Sequence, residues 1–256
     1  MTALLETRGI SVQFGGLVAV NAVNVSVAAG IIHGVIGPNG AGKTTFFNAL
    51  TGLVDISGGS IVFDGDDISR QPAFRRARLG MRRTFQSVQL IPQLTVLENV
   101  LIGLHDKIRE NPVASVLSLT GRSRAEEEAQ QRVVETLAFL GIGHTLFKRP
   151  KELSFAEQRF VEIARALVAK PKLLMLDEPA AGLSPNEVQA LNVLLRRVRA
   201  ESVVTVVLVE HVLSLVFDVS DRITVFENGR VIAEGVPADI ENDPRVKSAY
   251  LGDEHA

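Results

Sequence analysis

An eight-residue phosphate-binding motif constrains this sequence more than any other feature. Residues Gly37–Thr44 read GPNGAGKT, which matches G-x-x-x-x-G-K-[ST], and they follow an apolar run at Ile31–Ile36 and precede a helical pattern. Glycines in such a loop let backbone N–H groups turn toward phosphate oxygens, and the helix N-terminus adds positive potential. A glycine-rich turn would match the pattern by chance in on the order of 1% of such chains. The motif therefore predicts a nucleotide site in which Lys43 contacts the β- and γ-phosphates and Thr44 holds Mg²⁺.

Strand and helix patterns along the chain predict an α/β fold with a mostly parallel sheet. The predicted strands are Leu4–Phe14, Ala22–Val27, Ile31–Ile36, Ser60–Phe63, Leu173–Leu176, Val203–Val209 and Arg222–Glu227. The predicted helices begin at Lys43 (ending near Gly52), cover Arg124–Leu140, run from Pro185 to Arg199 and lie near Val212–Val216. We expect one core with a small antiparallel β edge and a helical insert at about residues 90–168.

The helix predicted at Arg124–Leu140 is the clearest part of the insert. Its charged face carries Glu126, Glu127 and Glu128. Its predicted apolar stripe consists of Val133, Val134, Leu137 and Leu140.

Composition and charge exclude several classes of protein. The 256 residues are 46% hydrophobic and 22% charged, which is typical of a folded chain and not of a disordered one. The formal net charge of −2 provides no basic field for coating nucleic acid. Cysteine is absent, which excludes disulfides, thiolate metal sites and a cysteine nucleophile. No apolar run is long enough to cross a bilayer and no signal-peptide pattern is present, so we expect the chain to stay where it is made.

Two carboxylates follow the apolar run at Leu173–Leu176. Asp177 is placed to hold the Mg²⁺ shell, and Glu178 is placed to orient an attacking water. Taken alone, the pair is equally consistent with the solvated start of a loop, and the phosphate loop is what favours catalysis. Two more polar residues, Gln86 and His211, also follow strand-like runs, and singly each is typical of a surface residue.

Together these motifs resemble those of the ATP-binding subunits of ABC transporters, over essentially the whole chain. Residues 153–158 (LSFAEQ) occupy the signature position and are followed by residues 161–167 (VEIARAL). The resemblance is closest to subunits of branched-chain amino-acid uptake systems. The segments that carry it are residues 36–42 (IGPNGAG), 178–185 (EPAAGLSP), 209–212 (VEHV) and 243–252 (DPRVKSAYLG).

The resemblance implies a P-loop NTPase fold of the ABC nucleotide-binding type, with residues 1–252 as one domain and 235–252 as a C-terminal subfamily segment. It implies an ATPase that uses ATP and Mg²⁺, with Glu178 and His211 as catalytic residues. The implied ATP-binding residues are Phe14, against adenine, and Gly37, Pro38, Asn39, Gly40, Ala41, Gly42, Lys43, Thr44 and Thr45. The implied metal ligands are Thr44, Gln86 and Asp177. The implied signature residues, which face the γ-phosphate held by the other subunit, are Ser154, Phe155, Ala156 and Glu157.

The resemblance also implies partners and a location. Each ATP would lie between two nucleotide-binding chains, identical or sister subunits, so that one chain carries half of each site. Transmembrane permease subunits and, indirectly, a periplasmic or extracellular solute-binding protein complete the system, at the cytoplasmic face of the membrane. No nucleic acid is expected. Leu101–Arg122 is interpreted either as core of the helical insert or as a docking surface for the membrane domain.

Two segments depart from the family pattern. The usual signature is LSGGQ, but Phe155, Ala156 and Glu157 replace its two glycines and its glutamine. Ser154 and Glu157 also form a capping-box pattern, which explains both residue types without ATP. Ser184 stands where many members carry aspartate, and with Pro185 and Glu187 it forms another helix-capping pattern.

Other functions are compatible with the motifs. One alternative is a soluble ABC ATPase acting on DNA, ribosomes or a regulatory complex, although the chain has neither a second nucleotide-binding domain nor a long coiled-coil insertion. Another is a module that binds ATP without hydrolysing it, which Glu178 and His211 argue against. Within transport, import of urea, amides or organic acids cannot be separated from import of branched-chain amino acids, because other subunits select the solute.

Overall fold

The computed structural model describes residues 3–105 and 124–251, which divide into two compact units. The core unit comprises the described residues up to Arg83, Lys172–Ala181 and those from Val188 onward. The helical unit comprises the described residues of Thr84–Pro171 together with Gly182–Glu187.

A four-stranded antiparallel sheet forms one part of the core unit, in the order β2-β1-β4-β5. Its strands are β1 (Ala3–Phe14), β2 (Leu17–Ala28), β4 (Gly58–Phe63) and β5 (Asp66–Asp67). β1 and β2 form a hairpin whose tight turn contains Gly15 at φ 57°. Alternate side chains of both strands are buried, which is the reason for their period-two pattern.

A six-stranded sheet forms the centre of the core unit, in the order β10-β9-β3-β8-β7-β6. Its strands are β3 (Ile32–Ile36), β6 (Met81–Arg83), β7 (Leu173–Asp177), β8 (Thr205–Val209), β9 (Arg222–Glu227) and β10 (Arg230–Gly235). Neighbouring strands are parallel except in the β9–β10 hairpin. β3, β7 and β8 are buried along their whole length, which explains their continuous apolar runs. Because these three strands are parallel neighbours, their carboxyl ends meet at one edge of the sheet.

In the described part of the core unit, the sheets are accompanied by the helices α1 (Lys43–Thr51), α2 (Ala73–Arg78), α6 (Pro185–Glu201), α7 (Leu213–Val219), α8 (Pro237–Asn242) and α9 (Pro244–Leu251). The first turn of α6 is counted with the helical unit. α1 buries Phe46 and Phe47 in the core, where the ring centroid of Phe46 lies 5.0 Å from that of Phe226. α1 ends at Thr51 and is capped by Gly52, the predicted helix stop, which adopts a left-handed φ of 73°.

The helical unit contains α3 (Val96–Leu101), α4 (Arg124–Phe139) and α5 (Phe155–Leu167), with 3₁₀ turns at Ile102–Leu104, Gly143–Thr145 and Pro150–Glu152. α3 packs against both α4 and α5. At Gly103 the backbone approaches so closely that a Cβ would lie 2.0 Å from the carbonyl oxygen of Arg165. Glycine is therefore required at that contact.

The prediction of the apolar stripe on α4 is wrong for one of its four residues. Val133, Leu137 and the following Leu140 are buried, but Val134 is 40% exposed. Val134 lies about 100° around the helix from Val133 and so falls outside the buried face.

The predicted α/β fold, with a mostly parallel sheet, an antiparallel β sheet and helical elements, is confirmed. Among the described elements, the sequence analysis did not identify β5, β10, α2, α8 or α9. Residues 106–122 of the proposed docking stretch lie outside the described residues. In the described parts of the chain, no helix combines the length and the hydropathy needed to span a membrane.

Candidate nucleotide-binding site

The phosphate loop connects β3 to α1 in the core unit and is held by backbone contacts. A Cβ on Gly37 would lie 2.1 Å from the carbonyl oxygen of Phe226, and one on Gly42 would lie 2.5 Å from that of Ala19. Gly37 and Gly42 also have φ values of 148° and 99°, which residues other than glycine rarely adopt. The carbonyl of Ala41 accepts a 3.0 Å hydrogen bond from the amide of Gly229. Two of the motif glycines are thus required by close packing as well as by conformation.

Lys43 is buried at the start of α1, with its ammonium group directed back over the loop. Nζ donates to the carbonyl oxygens of Gly37 and Pro38, at 2.6 and 2.9 Å. Because those carbonyls belong to the first two residues of the loop, the positive charge lies beside the loop, where it would meet a phosphate bound by the loop amides.

The first turn of α1 is open to an anion. Its N-cap, Gly42, provides no side-chain cap, and the first turn contains no acidic residue. Thr44 is exposed and Thr45 is half-buried on this turn. Uncapped N–H groups, the helix dipole and a cradle that a Cβ would fill fit a bound polyphosphate.

Phe14 ends β1 in the same unit and is 50% exposed. Its strand partner across the hairpin is Leu17, two residues before Ala19, which packs against the phosphate loop. An exposed aromatic ring at this position fits the predicted role against adenine.

Asp177, at the end of β7, has a partner that the sequence analysis missed. Its Oδ2 accepts a 2.6 Å hydrogen bond from Arg83, which ends the neighbouring strand β6, and both side chains are buried. Arg83 also donates to Oδ1 of Asn48 on α1, at 2.6 Å. A carboxylate has two oxygens with about four lone-pair positions, so this ion pair leaves acceptor capacity on Asp177 for a metal shell.

Glu178 and His211 lie together at the carboxyl ends of β7 and β8. Oε1 of Glu178 is 3.0 Å from Nε2 of His211. The Glu178 side chain is 15% exposed and that of His211 is 40% exposed. Glu178 also has a φ of 47°, a left-handed conformation that is uncommon outside glycine and that concentrates at functional sites. The structure therefore brings the two predicted catalytic residues into direct contact.

Gln86 lies in the helical unit, on a loop attached to α5 by a buried ionic cluster. Arg159 donates to the carbonyl oxygens of Phe85 and Gln86, at 2.9 and 2.8 Å, and pairs with Glu162 at 3.1 Å. Oε1 of Glu162 in turn accepts from the amide of Gln89, at 2.7 Å. Burial raises the pKa of Glu162, against the opposing effects of the Gln89 amide and Arg159. The sequence analysis missed Arg159, whose partners lie 73 and 74 positions away.

The signature segment begins α5 with the predicted capping box. Ser154 Oγ accepts from the Glu157 amide at 3.2 Å, and Glu157 Oε2 accepts from the Ser154 amide at 2.7 Å. The other carboxylate oxygen of Glu157 lies 2.9 Å from Nε2 of His144. Burial alone would raise the pKa of Glu157, but the bonds to Ser154 and His144 outweigh it, and the pKa is lowered. The Glu157 carboxylate is thus turned back into the cap, which limits its electrostatic repulsion of a phosphate.

Replacing Ser154 with alanine is expected to destabilise the chain by about 1 kcal/mol, because α5 loses its N-cap acceptor. We also expect lower ATPase activity, because the resemblance predicts that this hydroxyl faces the γ-phosphate held by the other subunit. Thermal melting and phosphate release test the two effects separately. Thr95→Ala, which removes the corresponding capping box of α3, is the control for lost capping alone. A lowered melting point with unchanged turnover would restrict Ser154 to the capping role.

Phe155 and Ser184, which stand where the family pattern has other residues, each make local contacts. The Phe155 ring lies 5.7 Å from the guanidinium carbon of Arg159, and a Cβ on Gly182 would lie 3.1 Å from the ring. Ala156, also in the first turn of α5, is buried. Ser184 donates to Glu187 through its amide and its hydroxyl, at 2.8 and 2.7 Å, just before Pro185 begins α6. Both departures therefore have local structural roles in the helical unit.

The predicted metal ligands are distributed over both units. Thr44 and Asp177 lie in the core unit and Gln86 lies in the helical unit. Among the residues that the structure describes, no group of three or more His, Cys, Asp or Glu side chains could hold a metal ion. One hydroxyl and one carboxylate nevertheless fit Mg²⁺, which usually takes one or two carboxylates together with substrate phosphates and water.

Comparison with known proteins agrees with this geometry. A family model described as "ABC transporter" matches residues 20–181, and one described as "Branched-chain amino acid ATP-binding cassette transporter" matches residues 230–256. The chain is 41% identical over 250 residues to the high-affinity branched-chain amino acid transport ATP-binding protein BraF of Pseudomonas aeruginosa, with 98% of each chain covered.

Solved structures agree as well. The ADP conformation of MJ1267, an ATP-binding cassette of an ABC transporter, superposes with a TM-score of 0.85 at 33% identity, covering 98% of this chain and 100% of that one. A dimeric post-hydrolysis structure of the cassette MJ0796, bound to ADP and Pi, matches with a TM-score of 0.76 at 25% identity, covering 91% and 98%.

Proposed function

Because this chain belongs to the ATP-binding family of ABC transporters, we propose that it hydrolyses ATP to power the import of branched-chain amino acids. The observation that carries the proposal is the Glu178–His211 pair at the sheet edge from which the phosphate loop also starts. A module that only held ATP would not need this pair. The C-terminal family match at residues 230–256 supports the branched-chain solute class.

In the proposed reaction, the loop amides and Lys43 hold the phosphates while Phe14 stacks on adenine. Glu178 orients and deprotonates the attacking water, whose oxygen bonds to the γ-phosphorus as the bond to the ADP oxygen breaks. His211 contacts the γ-phosphate and keeps the Glu178 carboxylate in place through the 3.0 Å contact. Mg²⁺, when bound by Thr44 and Asp177, would neutralise charge on the β- and γ-phosphates. The assignment of Gln86 as a further ligand rests on the family resemblance alone.

ABC ATP-binding domains work as dimers, and we propose that the signature of a second chain completes each site. At this signature, the Ser154 hydroxyl and the backbone amides of Phe155 and Ala156 would face the partner's γ-phosphate. The amides of Ser154 and Glu157 are taken up by the capping box, in which Glu157 holds the start of α5. The proposed further partners are permease subunits in the membrane and, through them, an extracytoplasmic solute-binding protein. With these partners, the chain would be a peripheral subunit at the cytoplasmic face of the membrane.

The test is to isolate the tagged chain from its own membranes in mild detergent and to identify the accompanying chains by mass spectrometry. The complex is then reconstituted into vesicles, and ATP-dependent uptake of labelled leucine, isoleucine and valine is measured. A complex containing Glu178→Gln is the matched control, because it should assemble without turnover. Recovery with multi-span chains and ATP-dependent uptake is the expected result. If the chain is recovered alone or only with cytosolic proteins, the transport function is wrong and the ATPase activity stays as proposed. If the vesicles take up urea or amides instead, only the assignment of the solute is wrong.

A further inference from the structure

A buried carboxylate, Glu210, lies between the two segments that carry the catalytic pair. It is the residue before His211 and is 2% exposed. Its Oε1 accepts a 2.6 Å hydrogen bond from the amide of Ala180, two residues after Glu178. Its Oε2 accepts from the amides of His211 and Val212, at 2.8 and 3.1 Å. Each carboxylate oxygen thus holds one of the two segments.

The segment after β7 needs such a contact because its backbone is strained. Glu178 adopts a left-handed φ of 47°, which costs of order 1–3 kcal/mol and persists only where surrounding contacts enforce it. The Glu178 amide donates to the carbonyl oxygen of Val209, at 2.8 Å, and the Ala181 amide closes the turn on the Glu178 carbonyl, at 3.1 Å. The Ala180–Glu210 bond fastens the middle of this turn to the end of β8.

From this geometry we infer that Glu210 is a positioning residue for ATP hydrolysis, setting the distance between Glu178 and His211 through the backbone of both segments. The inference rests on the proposed function, since it concerns the same reaction. Glu210 itself is enclosed and acts through the two residues that face the nucleotide. A displacement of about 1 Å between reacting groups can lower a rate on the order of 100-fold, so a contact that holds both segments controls turnover strongly.

The surroundings of Glu210 disfavour its ionisation on balance. Burial raises its pKa, as does the nearby charge of Glu178, although the three amides oppose this. A carboxyl group with a raised folded-state pKa is ionised less readily in the folded chain than in the unfolded one. At neutral pH the ionised group therefore contributes less to folding stability than the protonated group would.

The test replaces Glu210 with glutamine, which keeps the size of the side chain but leaves one acceptor oxygen and turns an NH₂ group toward backbone N–H donors. We expect kcat to fall by on the order of 10- to 100-fold, with KM and the dissociation constant for ATP unchanged within about twofold, because the phosphate loop is untouched. Glu210→Asp keeps the charge and, being one methylene shorter, should lose part of kcat in the same way, which provides a second variant if the glutamine variant does not fold.

The matched control is Asp221→Asn. Asp221 is a carboxylate of the same unit whose Oδ2 accepts from the amide of Ile32, at 2.9 Å, at the opposite end of β3 from the phosphate loop. Its replacement should lower the melting temperature without changing kcat. Turnover of both Glu210 variants within about twofold of the parent would overturn the inference, as would kcat and ATP affinity falling together with the melting temperature. The proposed function fails separately, if the parent chain does not bind or hydrolyse ATP.

Discussion

Replacing Glu178 with glutamine should stop ATP turnover while leaving ATP binding intact. The amide is nearly isosteric with the carboxylate but cannot take a proton from water. A general base contributes on the order of 10²- to 10⁴-fold to a rate, and we expect kcat to fall by that factor. Lys43 and the loop glycines are unchanged, so ATP should still bind, and unhydrolysed ATP should hold two chains together.

Phosphate release, binding of labelled ATP and size-exclusion chromatography measure the three effects. Glu201→Gln is the control: it removes a carboxylate from the exposed end of α6, where Glu201 pairs only with Arg197 among the described ion pairs. That variant should retain full activity. If Glu178→Gln hydrolyses ATP at the parent rate, Glu178 is not the base, even though it contacts His211.

Replacing Arg83 with methionine should destabilise the core unit by about 3–5 kcal/mol, since removing one partner of a buried ion pair leaves an uncompensated charge. The 2.6 Å bond to Asp177 and the bond to Asn48 are both lost, and with them the link from β7 to α1. Urea unfolding followed by circular dichroism measures the change. Arg75→Met, at an exposed position on α2, is the control and should change the stability by less than about 0.5 kcal/mol.

A second substitution separates the charge from the packing. In the Arg83→Met background, Asp177→Asn removes the unpaired charge and should recover most of the lost stability, even though activity stays low. The interaction between these contacting residues appears as non-additivity in a double-mutant cycle. A loss below about 1 kcal/mol in Arg83→Met, or additive effects of the two changes, would show that the ion pair contributes little.

The elements nearest the nucleotide site were predictable from the sequence because their signals are local. The burial of β3, β7 and β8 produces continuous apolar runs, and Gly52 stops α1 where its left-handed conformation is needed. The capping box of Ser154 and Glu157 was likewise readable, because both residues fall within one turn. Val134 was assigned wrongly, since an apolar residue next to a stripe looks the same in sequence whether buried or exposed.

By itself, the sequence determined the phosphate loop and the residue types at the candidate site, since each is encoded in a short run of neighbours. It also determined the α/β fold class and the family, which follow from the order of such runs along the chain. Only the tertiary structure decided which side chains meet. Arg83 reaches Asp177 across 94 positions, and Glu210 reaches the Ala180 amide across 30. Those contacts follow from the register of parallel strands whose carboxyl ends share one edge of a sheet. Strand register is a property of the assembled sheet, and a local pattern does not encode it.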